Sequence, residues 1–268
     1  MRPLVLVEGQ SNLKYTEKRE TCRSHTVVTD HREVNEQPLL VTHAGSSSAG
    51  SAASRTCTSV DLLLPWMKEE GAQVDTSSTL TPFEDEHYMK GLDLIVQVFT
   101  MSRISPAQEK GLLTAVKNGA GIAGWHGGLG DAFRENTEYQ FMVGGQWVAH
   151  PGGIIDYRVS IRHKDDPITH GLSDFAMHSE QYYMHVDPNV KVLATTSFTG
   201  DHAEWINGAT MPVVWKKTYG KGRVFYTSLG HVSADFRVPQ ALEIVKRDIR
   251  WSSGSKYEPF GQWVSPVY

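Results

Sequence analysis

Hydrophobic and polar positions divide the chain into an irregular opening stretch and an orderly remainder. Residues 8–37 are polar and hold no sustained period of 2 or 3.6. Residues 44–59 (AGSSSAGSAASRTCTS) form a Ser/Ala/Gly tract with the composition of a flexible loop or linker. Two short apolar runs, Leu4–Val7 and Pro38–Val41, interrupt this stretch as candidate strands. From Val60 the pattern becomes regular. Leu62, Leu63, Leu64 and Trp66 open a helix that stops at Glu69-Glu70-Gly71, with Pro65 placed near its start. A short strand at Gln73–Asp75 precedes Leu92–Phe99, a mostly apolar run of the kind found in central parallel strands. Ser105, Pro106 and Gln108 spell an N-cap, an N1 proline and a capping-box partner, which predicts a helix to Lys117 with a stop at Asn118-Gly119. The apolar run Gly121–Trp125 follows at once. Strand, helix and strand within about thirty residues make a βαβ unit, so the expected class is α/β, with a mostly parallel sheet and helices on both faces.

The second half is richer in strands. Ile154–Ile161 partly alternates, Val192–Thr196 is a short apolar run, and Val213–Lys217 and Arg223–Thr227 flank the hairpin signal Tyr219-Gly220-Lys221-Gly222. A closing helix over Pro239–Trp251 puts Leu242, Val245 and Ile249 on one face, with Ile244 beside them. The expected division is an irregular N-terminal extension (1–37), an organised body (38–251) and a surface tail (252–268). No internal repeat is visible.

Composition narrows the function classes. The 268 residues carry 26 Lys+Arg against 30 Asp+Glu, a net charge of −4, so no basic surplus is available to neutralise nucleic-acid phosphates. No apolar run reaches the roughly eighteen residues of a membrane span, and the apolar part of MRPLVLVEGQ is too short for a signal-peptide core. A cytoplasmic protein with neither a membrane nor a nucleic-acid partner is expected. Two cysteines, Cys22 and Cys57, exclude a disulfide scaffold and a Cys-based zinc finger. Twelve histidines and seven tryptophans stand out.

The richest stretch lies at 121–153. An apolar strand runs into Gly124-Trp125-His126-Gly127-Gly128, and a helix is expected to start there. This is the shape of a nucleophile elbow, in which small residues flank a side chain held in a tight strand-to-helix turn. A covalent elbow carries Ser or Cys; His126 is instead suited to general base or metal-ligand work. The plainer alternative is a glycine-rich loop that packs closely. The glycines do not spell the dinucleotide fingerprint, and Gly220-Lys221-Gly222 sits in a hairpin rather than before a helix, so no nucleotide cofactor is expected.

Several segments together resemble one family. These are Gly124–Gly128, Gly130-Asp131-Ala132-Phe133, Tyr139 through Gly144-Gly145-Gln146-Trp147-Val148-Ala149-His150-Pro151-Gly152-Gly153, Glu180-Gln181-Tyr182-Tyr183-Met184-His185, Met211–Trp215, Gly220–Tyr226 and Leu229-Gly230-His231. In that order they are similar to the trehalose-utilisation (ThuA-like) family of the class I glutamine amidotransferase-like superfamily. The resemblance implies a flavodoxin-like three-layer sandwich and a part in using trehalose-type disaccharides and their 3-keto derivatives. It also implies that His231, in the loop after a late strand, corresponds to the superfamily's catalytic histidine. The chain departs from the family at its start, where Thr42-His43-Ala44-Gly45 and the Ser/Ala tract stand in place of a Gly-Gly-Trp-x-Gly-His type loop.

The candidate catalytic set is therefore His126, His231 and Glu180, the carboxylate orienting a histidine. The same three groups could hold a divalent metal with an open position, although no local ligand motif marks one. Candidate sugar-binding residues are Trp125, Gly127, Gly128, Asp131, Trp147, His150, Tyr182 and His185. Asp131 has the alternative of capping the helix after the elbow, and Glu180 and His185, five apart, share a pocket only if the segment turns between them. Trp215 is assigned to the core, and His163, His170, His178 and His202 to the surface. With histidine at the elbow, a cysteine-dependent amidotransferase is not expected. A non-catalytic carbohydrate-binding or regulatory module is the rival reading, and a homo-oligomer is left open.

Overall fold

A computed structural model describes residues 59–258 in full, together with the backbone of residues 4–9 and 37–42. His43, Cys22, Cys57, the Ser/Ala/Gly tract up to residue 58 and the tail from residue 259 lie outside the described residues. The strands are β1 Leu4–Gly9, β2 Gln37–Thr42, β3 Ala72–Ser77, β4 Leu94–Phe99, β5 Gly121–Trp125 and β6 Gly145–Ala149, followed by β7 Ile154–Ile161, β8 Phe175–Glu180, β9 Tyr183–Val186, β10 Lys191–Ser197, β11 Thr210–Tyr219 and β12 Gly222–Thr227. The helices are α1 Ser59–Glu69, α2 Glu86–Gly91, α3 Pro106–Lys117, α4 His126–Gly130, α5 Thr137–Val143 and α6 Pro239–Ser253.

Local chemistry sets several boundaries where the sequence puts them. Ser105 accepts from the Gln108 backbone N–H while the Gln108 side chain accepts from the Ser105 N–H, a complete capping box with Pro106 in the first turn of α3. Gly71 and Gly119 take the left-handed backbone at the ends of α1 and α3. Pro65 differs from expectation. Helix α1 begins at Ser59, so the proline lies inside it rather than near its start.

The main sheet runs β1-β3-β2-β4-β5-β12-β11-β10-β7-β8, and β6 and β9 form a separate antiparallel pair. Its pairings are parallel from β1 to β12, including β4–β5 and β5–β12. Beyond β12 every pairing is antiparallel. The fold is thus mixed α/β, and the expectation of a mostly parallel sheet holds for one half only. The physical reason is the Gly220-Lys221 turn. A two-residue connection can join β11 to β12 only as a hairpin, whereas a parallel step needs a crossover such as α3.

Alternation along β4 sends Leu94, Val96 and Val98 into one core cluster with α1 and α6 residues such as Leu63, Met67, Ile244 and Ile249. Ile95 enters a second cluster with Leu112 and Val116 of α3 and Met142 of α5. Helices therefore cover both faces of the parallel half. Trp215 is fully buried, as expected, and α6 buries Ile244, Val245 and Ile249. Ser252 and Ser255, assigned to the surface tail, are buried, and the Ser255 hydroxyl accepts from the Arg223 backbone N–H.

Candidate functional site

The site begins at the end of β5. Every residue of this strand is buried, and the chain then turns directly into α4 at His126, whose φ is +49°. A left-handed backbone on a histidine costs about 1–2 kcal/mol, and such strain collects where a side chain must be aimed. Glycines make the turn fit. A Cβ on Gly128 would lie 2.6 Å from the Val98 Cα, and one on Gly124 would lie 2.4 Å from the Gln97 carbonyl oxygen. The Gln97 amide donates to the Tyr139 hydroxyl (2.5 Å), which donates to the Leu129 carbonyl (3.0 Å), so buried polar groups of β4 and α5 hold the short helix in place. His126→Gly is expected to be more stable than His126→Ala by about 1 kcal/mol or more, because only glycine relieves this backbone. Chemical denaturation of the two variants measures the difference.

Three segments distant in sequence meet at the elbow. Glu180 arrives at the end of β8 and His231 in the loop after β12. His126 Nε2 lies 3.2 Å from Glu180 Oε2, and His231 Nδ1 lies 3.4 Å from the same oxygen. The His126 and His231 rings are 4.9 Å apart. His150, from the loop after β6, brings Nε2 to 3.8 Å from Glu180 Oε1. On its other side His126 Nδ1 is 2.9 Å from the Tyr182 hydroxyl. His126 Nε2 is buried and makes no aligned hydrogen bond among the described residues. Asp235 Oδ2 accepts from the His231 backbone N–H (2.9 Å) and from the Ser179 hydroxyl (2.6 Å), tying the loop after β12 to strand β8.

Burial controls the charges. It holds His126 below the usual imidazole range, and the Glu180 carboxylate offsets only part of that effect. Burial alone would raise the Glu180 carboxyl, but the surrounding His126, His231 and His150 rings outweigh it and hold it below its ordinary value. At neutral pH the pair is a neutral imidazole beside a carboxylate. The Tyr182 phenol, pushed well up by burial, stays protonated.

The expected sugar-binding residues separate. Tyr182, His150 and Trp147 gather at the cluster, with Trp147 and His150 ring centroids 5.7 Å apart and both 6.2 Å from Tyr182. Trp125 does not serve as a stacking platform, being 2% exposed and edge-on to Phe236 in the core. Gly127 and Gly128 are buried at close contacts with Thr100 and Val98, which is the packing alternative. Asp131 does not cap the start of α4. It is the residue that follows the helix, and it holds Arg134 through two oxygens at 2.5 and 2.8 Å. His185 is exposed on β9, where alternation buries Met184 instead. The turn at Gln181-Tyr182 between β8 and β9 delivers Tyr182, not His185, to His126. His163, His170, His178 and His202 are exposed, as expected.

Arg134 and Asp235 escaped the sequence reading. The Arg134 guanidinium lies 4.3 Å from the Trp147 ring centroid and covers one face of it. Local spacing carried a signal for both, since Arg134 follows Asp131 by three residues and Asp235 follows His231 by four.

Among solved structures, the chain is similar to a putative ThuA-like protein from Bacteroides uniformis, at 16% identity and a TM-score of 0.65 over 84% of this chain and 94% of that one. A putative ThuA-like protein from Parabacteroides merdae gives 17% identity and a TM-score of 0.58 over 85% and 94%. A cytoplasmic protein from Salmonella typhimurium gives 14% and 0.54 over 72% and 86%. At these identities the likeness is one of fold. No curated protein matches the sequence. The model of the ThuA family, described as trehalose utilisation, matches residues 41–252, and the chain belongs to that family.

Proposed function

We propose that the chain acts on a sugar bearing a carbonyl group, a 3-keto derivative of a trehalose-type disaccharide, by moving a proton at the carbon beside that carbonyl. The observation that carries this reading is the convergence of His126, His231 and Glu180, whose ligating or proton-carrying atoms all lie within 4.8 Å of one another. A ketone acidifies its neighbouring C–H, and a neutral imidazole is the natural base for it at neutral pH, with a second histidine supplying a proton to oxygen. Glu180 orients the rings. The indole N–H of Trp147 and Nδ1 of His150 are buried without partners among the described residues, and sugar hydroxyls would satisfy both.

The family's trehalose link supports the substrate class. The two-sided helical cover of the parallel strands supports a flavodoxin-like, amidotransferase-like core. Residues 38–251 form the functional body in this reading. A histidine at the elbow argues against cysteine-dependent glutamine hydrolysis. A cytoplasmic site of action follows by analogy with the Salmonella typhimurium protein, and no helix among the described residues is long and apolar enough to cross a membrane.

Incubation with 3-keto-trehalose, followed by NMR, tests the proposal. Turnover that disappears in His126→Ala is the expected result. Neither turnover nor binding would overturn it, and sugar binding with no turnover would assign the protein to the carbohydrate-binding class instead.

A further inference from the structure

We propose that His126 Nε2, His231 Nδ1 and one oxygen of Glu180 form a binding site for a divalent transition-metal ion of the zinc type, with a fourth position open to water or a sugar oxygen. The inference rests on the proposed function and changes one part of it: with the ion bound, His126 and His231 would be ligands, and the base that moves the proton would be a group other than their coordinated nitrogens.

The distances carry it. A charge-assisted N–H···O bond between a ring and a carboxylate runs about 2.7–2.9 Å. The two rings here stand at 3.2 and 3.4 Å from Glu180 Oε2. Ligand bonds of about 2.0–2.1 Å in a tetrahedron place neighbouring ligand atoms roughly 3.3–3.5 Å apart, and the two nitrogen–oxygen contacts lie within or just below that spacing. His126 Nε2 lies 3.2 Å from Glu180 Oε2 and, among the described residues, makes no aligned hydrogen bond. A buried ring nitrogen left in that state needs a partner, and a metal ion supplies one.

The surroundings fit the same role. A metal-ligating histidine normally donates its other ring N–H to a fixed acceptor. The Tyr182 hydroxyl, 2.9 Å from His126 Nδ1, can accept a hydrogen bond from an Nδ1–H, which holds the proton on Nδ1 and leaves the Nε2 lone pair free. Asp235 fixes the backbone of His231 and the hydroxyl of Ser179, the residue before Glu180, so two of the three ligands sit on one braced support. Two histidines, one carboxylate and an open position form a ligand set well suited to zinc with catalytic access.

The test uses the full chain, stripped with a chelator and titrated with Co²⁺ as a spectroscopic probe and then with Zn²⁺ in competition. One equivalent of cobalt with the visible absorption of a tetrahedral site, displaced by zinc, is the expected result. His231→Ala and Glu180→Gln are each expected to lower the affinity by at least tenfold. Tyr182→Phe, which keeps the ring and loses the hydroxyl, is expected to lower it by about 10–100-fold. Circular dichroism of the metal-free variants separates lost ligands from lost folding. Absence of the tetrahedral spectrum, or equal affinity in all three folded variants, overturns the metal site. Turnover of 3-keto-trehalose undiminished in excess chelator overturns the metal and leaves the sugar reading standing. A cobalt site formed without turnover in any metal form supports the metal and overturns the sugar reading.

Discussion

Glu180→Gln is expected to lower kcat/KM on a keto-disaccharide by about 10²–10⁴-fold, the range for removing an acid–base or orienting group. The fall should lie in kcat, with KM changed little, because no other role for Glu180 in sugar contact is assigned. Its two oxygens are shared among His126, His231 and His150. Glutamine keeps the shape and loses the charge. The neutral amide no longer favours a protonated ring, so the His126 resonance in NMR should titrate at lower pH than in the parent, where burial already holds it down. Glu180→Asp keeps the charge on a shorter arm and should recover part of the rate. An unchanged kcat in folded Glu180→Gln would remove this carboxylate from the chemistry.

Gly128→Ala is the second large effect, and it acts through the backbone. The added methyl would meet the Val98 Cα at 2.6 Å and Cγ1 at 2.7 Å, with the main-chain carbon at 3.1 Å. Backbone of a central strand cannot swing aside as a long side chain can, so α4 must move off β4. Overpacking of this kind costs about 1–3 kcal/mol, or roughly 2–4 °C in Tm for each kcal/mol in a domain of this size. His126 opens the same helix, and a displacement near 1 Å at a reacting group costs about 10²-fold in rate. Thermal unfolding and kcat measured on the same sample check both. Loss of stability with full activity would show that the elbow absorbs the methyl without moving His126.

Much of the local structure was legible because its causes are local. The capping box at Ser105 and Gln108, the strand Gly121–Trp125, the hairpin turn at Gly220-Lys221 and the buried face of α6 each depend on residues a few positions apart. The elbow was legible for the same reason, since small residues on both sides of His126 announce a turn with no room for Cβ atoms. The antiparallel half of the sheet is not legible in the same way. One βαβ unit speaks for its own strands and says nothing of β7, β8, β10 and β11, which join by hairpin and meander.

The sugar-binding residues divide along the same line. Tyr182 and His185 have similar standing in Glu180-Gln181-Tyr182-Tyr183-Met184-His185 when only their types are read. The turn after β8 decides between them, sending Tyr182 to His126 and leaving His185 in solvent. Trp125 and Trp147 divide likewise. One is packed against Phe236, and the other stands at the cluster under Arg134.

The sequence by itself determined which chemistry was on offer: histidine rather than cysteine at a glycine-flanked elbow, a late-strand histidine and a carboxylate. Their convergence was decided by the tertiary structure alone. Glu180 lies 54 residues from His126 and 51 from His231, counted along the numbering (180 − 126 and 231 − 180), and only strand pairing across the sheet fixes distances of 3.2 and 3.4 Å between groups so separated. Desolvation, which sets the charge of each group, depends on what covers it from every side, and no local run of residues records that.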